Sequence, residues 1–303
     1  MTDQDIKANR PRITREFVLH CDLINETGSE SVDNYLYCLL NVLRISLGDD
    51  LCAVYLIGSY AHGGLAHDSD IDLCLIFRDG KNRYREAWSI IEHIGLFTGM
   101  MVDPMFHGCE ASLYDSLDES DCCTPVLRSA LKDHSILLLG EDIRHKIELS
   151  PHDKMLNDVL SPALIWIRNA HGMRNAAYDT PISYPLGNLR DTDEGFGDLH
   201  SVTIRTLHLA RAQIYLKTDE FIFNKAHIDT QYAEHVGGPW ADLVHRICES
   251  RYTDRMEDKR HEIWLGACQN MTAFENYFLE QIVVKGLAQS LCIAPASELV
   301  RNP

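Results

Sequence analysis

Two aspartates, Asp70 and Asp72, open an apolar run in the stretch LIGSYAHGGLAHDSDIDLCLIF, Leu56–Phe77. On a strand, residues i and i+2 face the same side, so both carboxylates share one face. Like charges this close repel and lose hydration energy unless a cation lies between them. Paired carboxylates of this kind form an oxygen-ligand site for Mg2+, which completes its shell with water and substrate phosphates. Just upstream, Gly58-Ser59 ends one apolar segment and turns into a short helix. Such a turn presents backbone N–H groups and a hydroxyl to a phosphate, and glycine leaves room for the phosphate oxygens to approach. A third acid, Asp103, comes alongside if its strand neighbours Ile71–Phe77. Three carboxylates beside a phosphate turn make a two-metal site for phosphoryl or nucleotidyl transfer, its ions about 4 Å apart. An Asp-x-Asp alone is far more commonly a solvated turn. The apolar segments on both sides are what argue for a site.

The elements that must position these residues follow from periodicity. Tyr35, Leu36, Leu39, Val42, Leu43 and Leu47 recur at helical spacing, with Ser31 as N-cap and Gly48 as the stop. Ala53–Ile57 and Ile71–Phe77 read as buried strands around the glycine-rich turn. Asn82–Leu96 reads as an amphipathic helix closed by Gly95 and Gly99, and Met100–Phe106 as a strand carrying Asp103. Thr124-Pro125 is an N-cap followed by proline at the first helical position, opening a helix to Lys132, and Ile136–Leu139 is a short strand. Beyond Pro151 strand signals fade, and helical patterns cover 154–177, 199–216, 225–235, 239–248 and 257–284. The expected organisation is an N-terminal extension (1–30), an α/β domain with a mixed sheet flanked by helices (31–150), an all-α domain (151–292) and a tail (293–303).

The run Gly58–Leu73 resembles the signature of the DNA polymerase β-like nucleotidyltransferase superfamily. In its GS-Y-A-H-GGL-A-H-D-SDIDL form it is especially similar to the aminoglycoside adenylyltransferases that modify streptomycin and spectinomycin. ALKDHSILLLGED (Ala130–Asp142) is similar to the segment that closes the catalytic domain in that group. Leu207–Val236 is similar to its helical-domain segment. The resemblance covers about residues 33–250 and is dense only at the signature. It implies that Gly58 and Ser59 hold a nucleoside triphosphate, ATP in that group, and that Asp70 and Asp72 bind Mg2+, as two ions. It further implies that Asp103 ligates metal and acts as general base toward an acceptor hydroxyl. Lys225, with Arg211, would reach the triphosphate from the helical domain. Three positions depart from the pattern: Asp103 replaces a glutamate, Tyr232 stands where a tryptophan is expected, and the loop Tyr178–Asp198 has no counterpart.

Composition narrows the partners. The chain of 303 residues carries 45 acidic against 28 basic side chains, a net charge of −17. A surface this negative repels phosphate backbones, so long nucleic acid is not expected as a partner, and a small cationic, hydroxyl-bearing acceptor such as an aminoglycoside is favoured. Glu194 and Asp198, with Asp191 and Asp193, are candidate acceptor contacts, although acidic loops are commonly just solvated. The ten cysteines are scattered with no C-x-x-C pair, and Met1–Arg12 lacks the apolar core of a signal peptide. Both features point to a reduced, cytoplasmic setting, and no apolar run reaches membrane-spanning length. His62 and His67 read as exposed turn residues, and Trp166, Trp240 and Trp264 as core. The expected activity is transfer of a nucleoside monophosphate, AMP from ATP, with release of pyrophosphate. The alternatives are a nucleotidyltransferase acting on a protein or tRNA and a non-catalytic nucleotide-binding relative.

Overall fold

The computed structural model describes residues 23–66, 69–78, 83–100, 102–109, 113–114, 123–170, 199–252 and 257–287. The chain enters through α1 (Glu30–Leu47). Its N-cap is Ser29, not the expected Ser31. Asp33 accepts from both the Thr27 amide and the Thr27 hydroxyl at 2.7 Å, which fixes the helix entry earlier in the chain. There follow β1 (Leu51–Ile57), α2 (Gly58–His62), β2 (Ile71–Phe77), α3 (Tyr84–Thr98), β3 (Val102–Cys109), α4 (Pro125–His134) and β4 (Ile136–Gly140). Gly99 ends α3 in the left-handed conformation, while Gly95 lies within the helix. Thr124 caps α4 as its sequence predicts, accepting from the Leu127 amide, with Pro125 at the first position.

The strands form one mixed sheet in the order β3-β2-β1-β4. β1 is antiparallel to β2 and β4, and β2 is parallel to β3. Both faces of the central strands are covered, which is why they read as continuous apolar runs. Val54, Leu56, Leu73, Leu75 and Phe77 pack with α1 and α3, whereas Tyr55, Ile57, Cys74 and Ile76 pack toward Leu127 and Leu131 of α4. The β2–β3 register slips between Leu73 and Cys74, immediately after the Leu73–Pro104 pairing.

The rest of the described chain is helical: α5 (His152–Ala170), α6 (Leu199–Thr218), a 3-10 turn at Lys225–His227, α7 (Ile228–His235), α8 (Ala241–Tyr252) and α9 (Glu257–Val284). It encloses its own core, with α6 packed against α5, α7, α8 and α9. A helix contacted on several sides shows little amphipathic bias, which accounts for the all-round apolar character of α6. Trp240 and Trp264 pack on this core, and Trp166 is half-buried. Tyr232 is fully buried, and its hydroxyl donates to Gln213 Oε1 at 2.9 Å. One polar tie joins the two parts where the Val126 amide donates to Asp158 Oδ2 at 2.8 Å. Among the described residues no helix is long and apolar enough to cross a membrane.

The helical core also contains an ion pair between Arg205 and Glu275, whose side chains are 2% and 0% exposed. Removing Glu275 takes a carboxylate away from a buried guanidinium, at a cost of about 3–5 kcal/mol. Glu275→Ala is therefore expected to lose roughly that much stability in urea unfolding. The joint replacement Arg205→Met with Glu275→Leu should recover most of it.

Candidate active site

The site is a consequence of strand register. Asp72 lies opposite Ile57, the last residue of β1, and its neighbour on the other side is Asp103 of β3. The parallel pairing of β2 with β3 thus supplies the adjacency that the sequence leaves conditional. Carboxylate oxygens of Asp70, Asp72 and Asp103 all lie within 4.8 Å of one another; the first two are half-buried and Asp103 is exposed. An all-oxygen donor set of this kind fits a hard divalent cation such as Mg2+ and offers nothing to a thiolate-seeking metal.

Gly58 is required here for two reasons. Its φ of +67° lies in the left-handed region, and a Cβ on it would fall 1.7 Å from Asp72 Oδ2. The space that the sequence reading reserves for phosphate oxygens is therefore occupied first by a carboxylate. Ser59 follows, buried in the first turn of α2.

The electrostatics of the acid cluster are those of anions held together without compensation. Burial, reinforced by Asp70 and Asp103, pushes the Asp72 carboxyl up to about 7 against the opposing pull of Lys225. Burial and Asp70 also raise Asp103. Across from the acids, Lys225 feels both Asp72 and Asp70. Its pKa nonetheless falls, because burial and the nearby Arg211 and Arg251 outweigh them. Arg211 stands one step back: it donates to the Phe223 carbonyl at 2.9 Å and lies 5.1 Å over the Phe221 ring. Burial and Arg251 pull its guanidinium down to about 10. His208 is drawn into the same cationic region, its pKa lowered to about 4 by burial, Arg211 and Lys225.

The structure thus brings Gly58, Ser59, Asp70, Asp72, Asp103 and Lys225 to one end of the sheet, with Arg211 behind Lys225. Glu194 and Asp198 lie outside the described residues, as do His67 and the loop Tyr178–Asp198. His62 differs from its expected place as an exposed turn residue. It ends α2 half-buried, its ring edge-on to Phe223 at 5.3 Å and to His134 at 5.8 Å. Those rings line a cavity of about 480 Å³ together with Asn224 and His227. Sequence reasoning missed Arg251 and His208, whose helical spacing is indistinguishable from that of ordinary surface residues. It also missed Asn224, whose signal was available in its type: an N-cap residue directly before Lys225.

Residues 46–136, which run from the end of α1 to the start of β4, match the family model described as a nucleotidyltransferase domain. The matched segment holds the turn at Gly58 and all three acids of the cluster. Among solved structures it is similar to spectinomycin adenyltransferase AAD(9) from Enterococcus faecialis, crystallised with ATP and spectinomycin. The TM-score is 0.53 at 14% identity, over 82% of this chain and 98% of that one, a likeness of fold. No curated protein sequence matches the chain.

The raised pKa of Asp72 has a stability consequence with a definite sign. Below about pH 4 the carboxyl is protonated in both the folded and the unfolded chain. Between that point and pH 7 the unfolded chain gives up its proton first, so the folded state loses stability as pH rises. Asp72→Asn is therefore expected to match wild type at pH 4 in metal-free buffer. At pH 8 it should be more stable by up to about 4 kcal/mol, or roughly 8–16 °C in Tm. Mg2+ should narrow this gap by stabilising only the wild type, as thermal unfolding with and without the ion will show.

Proposed function

We propose that the protein transfers AMP from ATP to a hydroxyl of a small cationic acceptor such as an aminoglycoside, releasing pyrophosphate in a Mg2+-dependent reaction. The observation that carries this reading is the acid triad facing Lys225 across the turn at Gly58. Three carboxylates suited to a divalent cation stand near a lysine suited to phosphate, the two kinds of group that a metal–triphosphate complex needs. The nucleotidyltransferase domain match and the fold shared with an adenyltransferase crystallised with ATP and spectinomycin support the same reading. The net charge of −17 favours a cationic acceptor.

In this mechanism Asp70, Asp72 and Asp103 hold the metal, which when bound supplies positive charge to the triphosphate and to the departing pyrophosphate. Asp103, the most exposed of the three, accepts the proton of the acceptor hydroxyl. Its raised pKa makes it a stronger base than an ordinary aspartate. The freed oxygen attacks the α-phosphorus in line, and the bond from that phosphorus to the bridging oxygen of the β-phosphate breaks. The Lys225 ammonium steadies the charge that the leaving pyrophosphate gains.

Asp70→Asn and Asp72→Asn are each expected to lower turnover by about a thousandfold or more while leaving the fold intact. Lys225→Ala should weaken ATP binding by roughly tenfold or more through loss of a charge-assisted contact. The deciding assay incubates the protein with Mg2+, each labelled nucleoside triphosphate and a panel of aminoglycosides, and follows pyrophosphate release. Labelling of a protein or tRNA with no aminoglycoside turned over would replace this acceptor with a macromolecular one.

A further inference from the structure

The glycine pair that follows α2 meets the helical part of the chain at Asn224 and the main chain of Lys225 and Ala226. Gly63 and Gly64 have φ of +84° and +83°. A Cβ on Gly63 would lie 3.0 Å from Asn224 Nδ2, and a Cβ on Gly64 would lie 2.8 Å from Asn224 Oδ1 and 2.9 Å from the Ala226 amide nitrogen. Asn224 is therefore seated against bare main chain. Any side chain at Gly64 would displace the backbone that carries Lys225, whose own amide nitrogen stands 3.3 Å from the same point.

Asn224 also builds the turn that presents Lys225. Its Oδ1 accepts from the Ala226 amide at 2.9 Å and its carbonyl accepts from the His227 amide at 3.1 Å, which closes the 3-10 turn Lys225–His227. One residue earlier, the Phe223 carbonyl is held by Arg211. The segment is thus fixed by a guanidinium before Asn224, by a side-chain cap within the turn, and by glycine main chain from the side. Lys225 is within electrostatic reach of Asp72 and Asp70.

We infer that Asn224 is a positioning residue: by capping the turn and seating against Gly63 and Gly64, it fixes the main chain from which Lys225 projects. The inference rests on the proposed role of Lys225 at the triphosphate. A cap that served stability alone would leave Lys225 where it is. A positioning residue acts only through Lys225, and the two readings separate in a double-mutant cycle.

The test uses the full-length chain and two probes. One is calorimetric titration with ATP in the presence of Mg2+. The other is the rate of acetylation of Lys225 by an amine-reactive reagent without nucleotide, quantified by peptide mass spectrometry. Asn224→Ala should raise Lys225 labelling by about threefold or more and weaken ATP binding by about tenfold. Asn224→Asp, which keeps the shape and the capping acceptor, should restore both to within about twofold of wild type. In a Lys225→Ala background, Asn224→Ala should weaken ATP binding no further. Gly64→Ala, which acts on the same segment from the opposite side, should reproduce the rise in labelling. Unchanged labelling in a folded Asn224→Ala protein, or losses that add fully to those of Lys225→Ala, would overturn the inference. Should the wild type bind no ATP, the functional reading fails, while the labelling comparison still decides whether Asn224 sets Lys225.

Discussion

Three carboxylates gathered at one end of a sheet repel each other, and much of the structure around them serves to hold them there. Asp70 and Asp72 share a face because β2 is extended, and Asp103 joins them because β3 runs parallel to β2 in the register that sets it beside Asp72. The strands resist this repulsion because their inner residues are buried on both faces, with Leu73, Leu75 and Phe77 on one side and Cys74 and Ile76 on the other. Each apolar side chain so buried contributes about 1.5–3 kcal/mol. The unfavourable ionisation of Asp72 is thus offset by packing further along the same strand.

The cationic counterpart is assembled by the helical part of the chain. α6 supplies Arg211 and His208, and α8 supplies Arg251. The turn before α7 supplies Lys225. Arg211 and Arg251 lower the proton affinity of Lys225, while Asp70 raises that of Asp72 and Asp103. Gly58 sharpens the arrangement from the sheet side, since its missing side chain is what allows the Asp72 carboxylate to lie against the turn.

Much of the sheet-forming part was legible in the sequence. Ile71–Phe77 forms the strand its apolar run predicts, and Thr124-Pro125 opens a helix as N-cap chemistry requires. Local boundaries shifted where a side chain acted at a distance: Asp33 reaching back to Thr27 moved the start of α1, and pairing with Phe77 extends β1 back to Leu51. At the site, Asp70 and Asp72 were legible through their spacing together with the Gly-Ser turn and the apolar segments around them, whereas Asp103 depended on a strand order that no local pattern encodes. His62 was misplaced because its ring partners, His134 and Phe223, lie far along the chain. Arg251 and His208 were illegible because their helical spacing matches that of ordinary surface residues. Asn224 was legible as a cap but not as a contact of Gly63 and Gly64.

The position of β3 at the edge of the sheet constrains how anything can be recognised beside Asp103. Pro104 follows that acid directly; it has no amide hydrogen, and it disfavours helical geometry for the residue before it. The register slip that comes next interrupts the regular spacing of main-chain groups along the outer rim. A rim broken in this way is a poor template for an incoming extended peptide, which needs an uninterrupted row of donors and acceptors to add as a further strand. A molecule arriving next to Asp103 must therefore be gripped by side chains and charge rather than zipped onto the backbone.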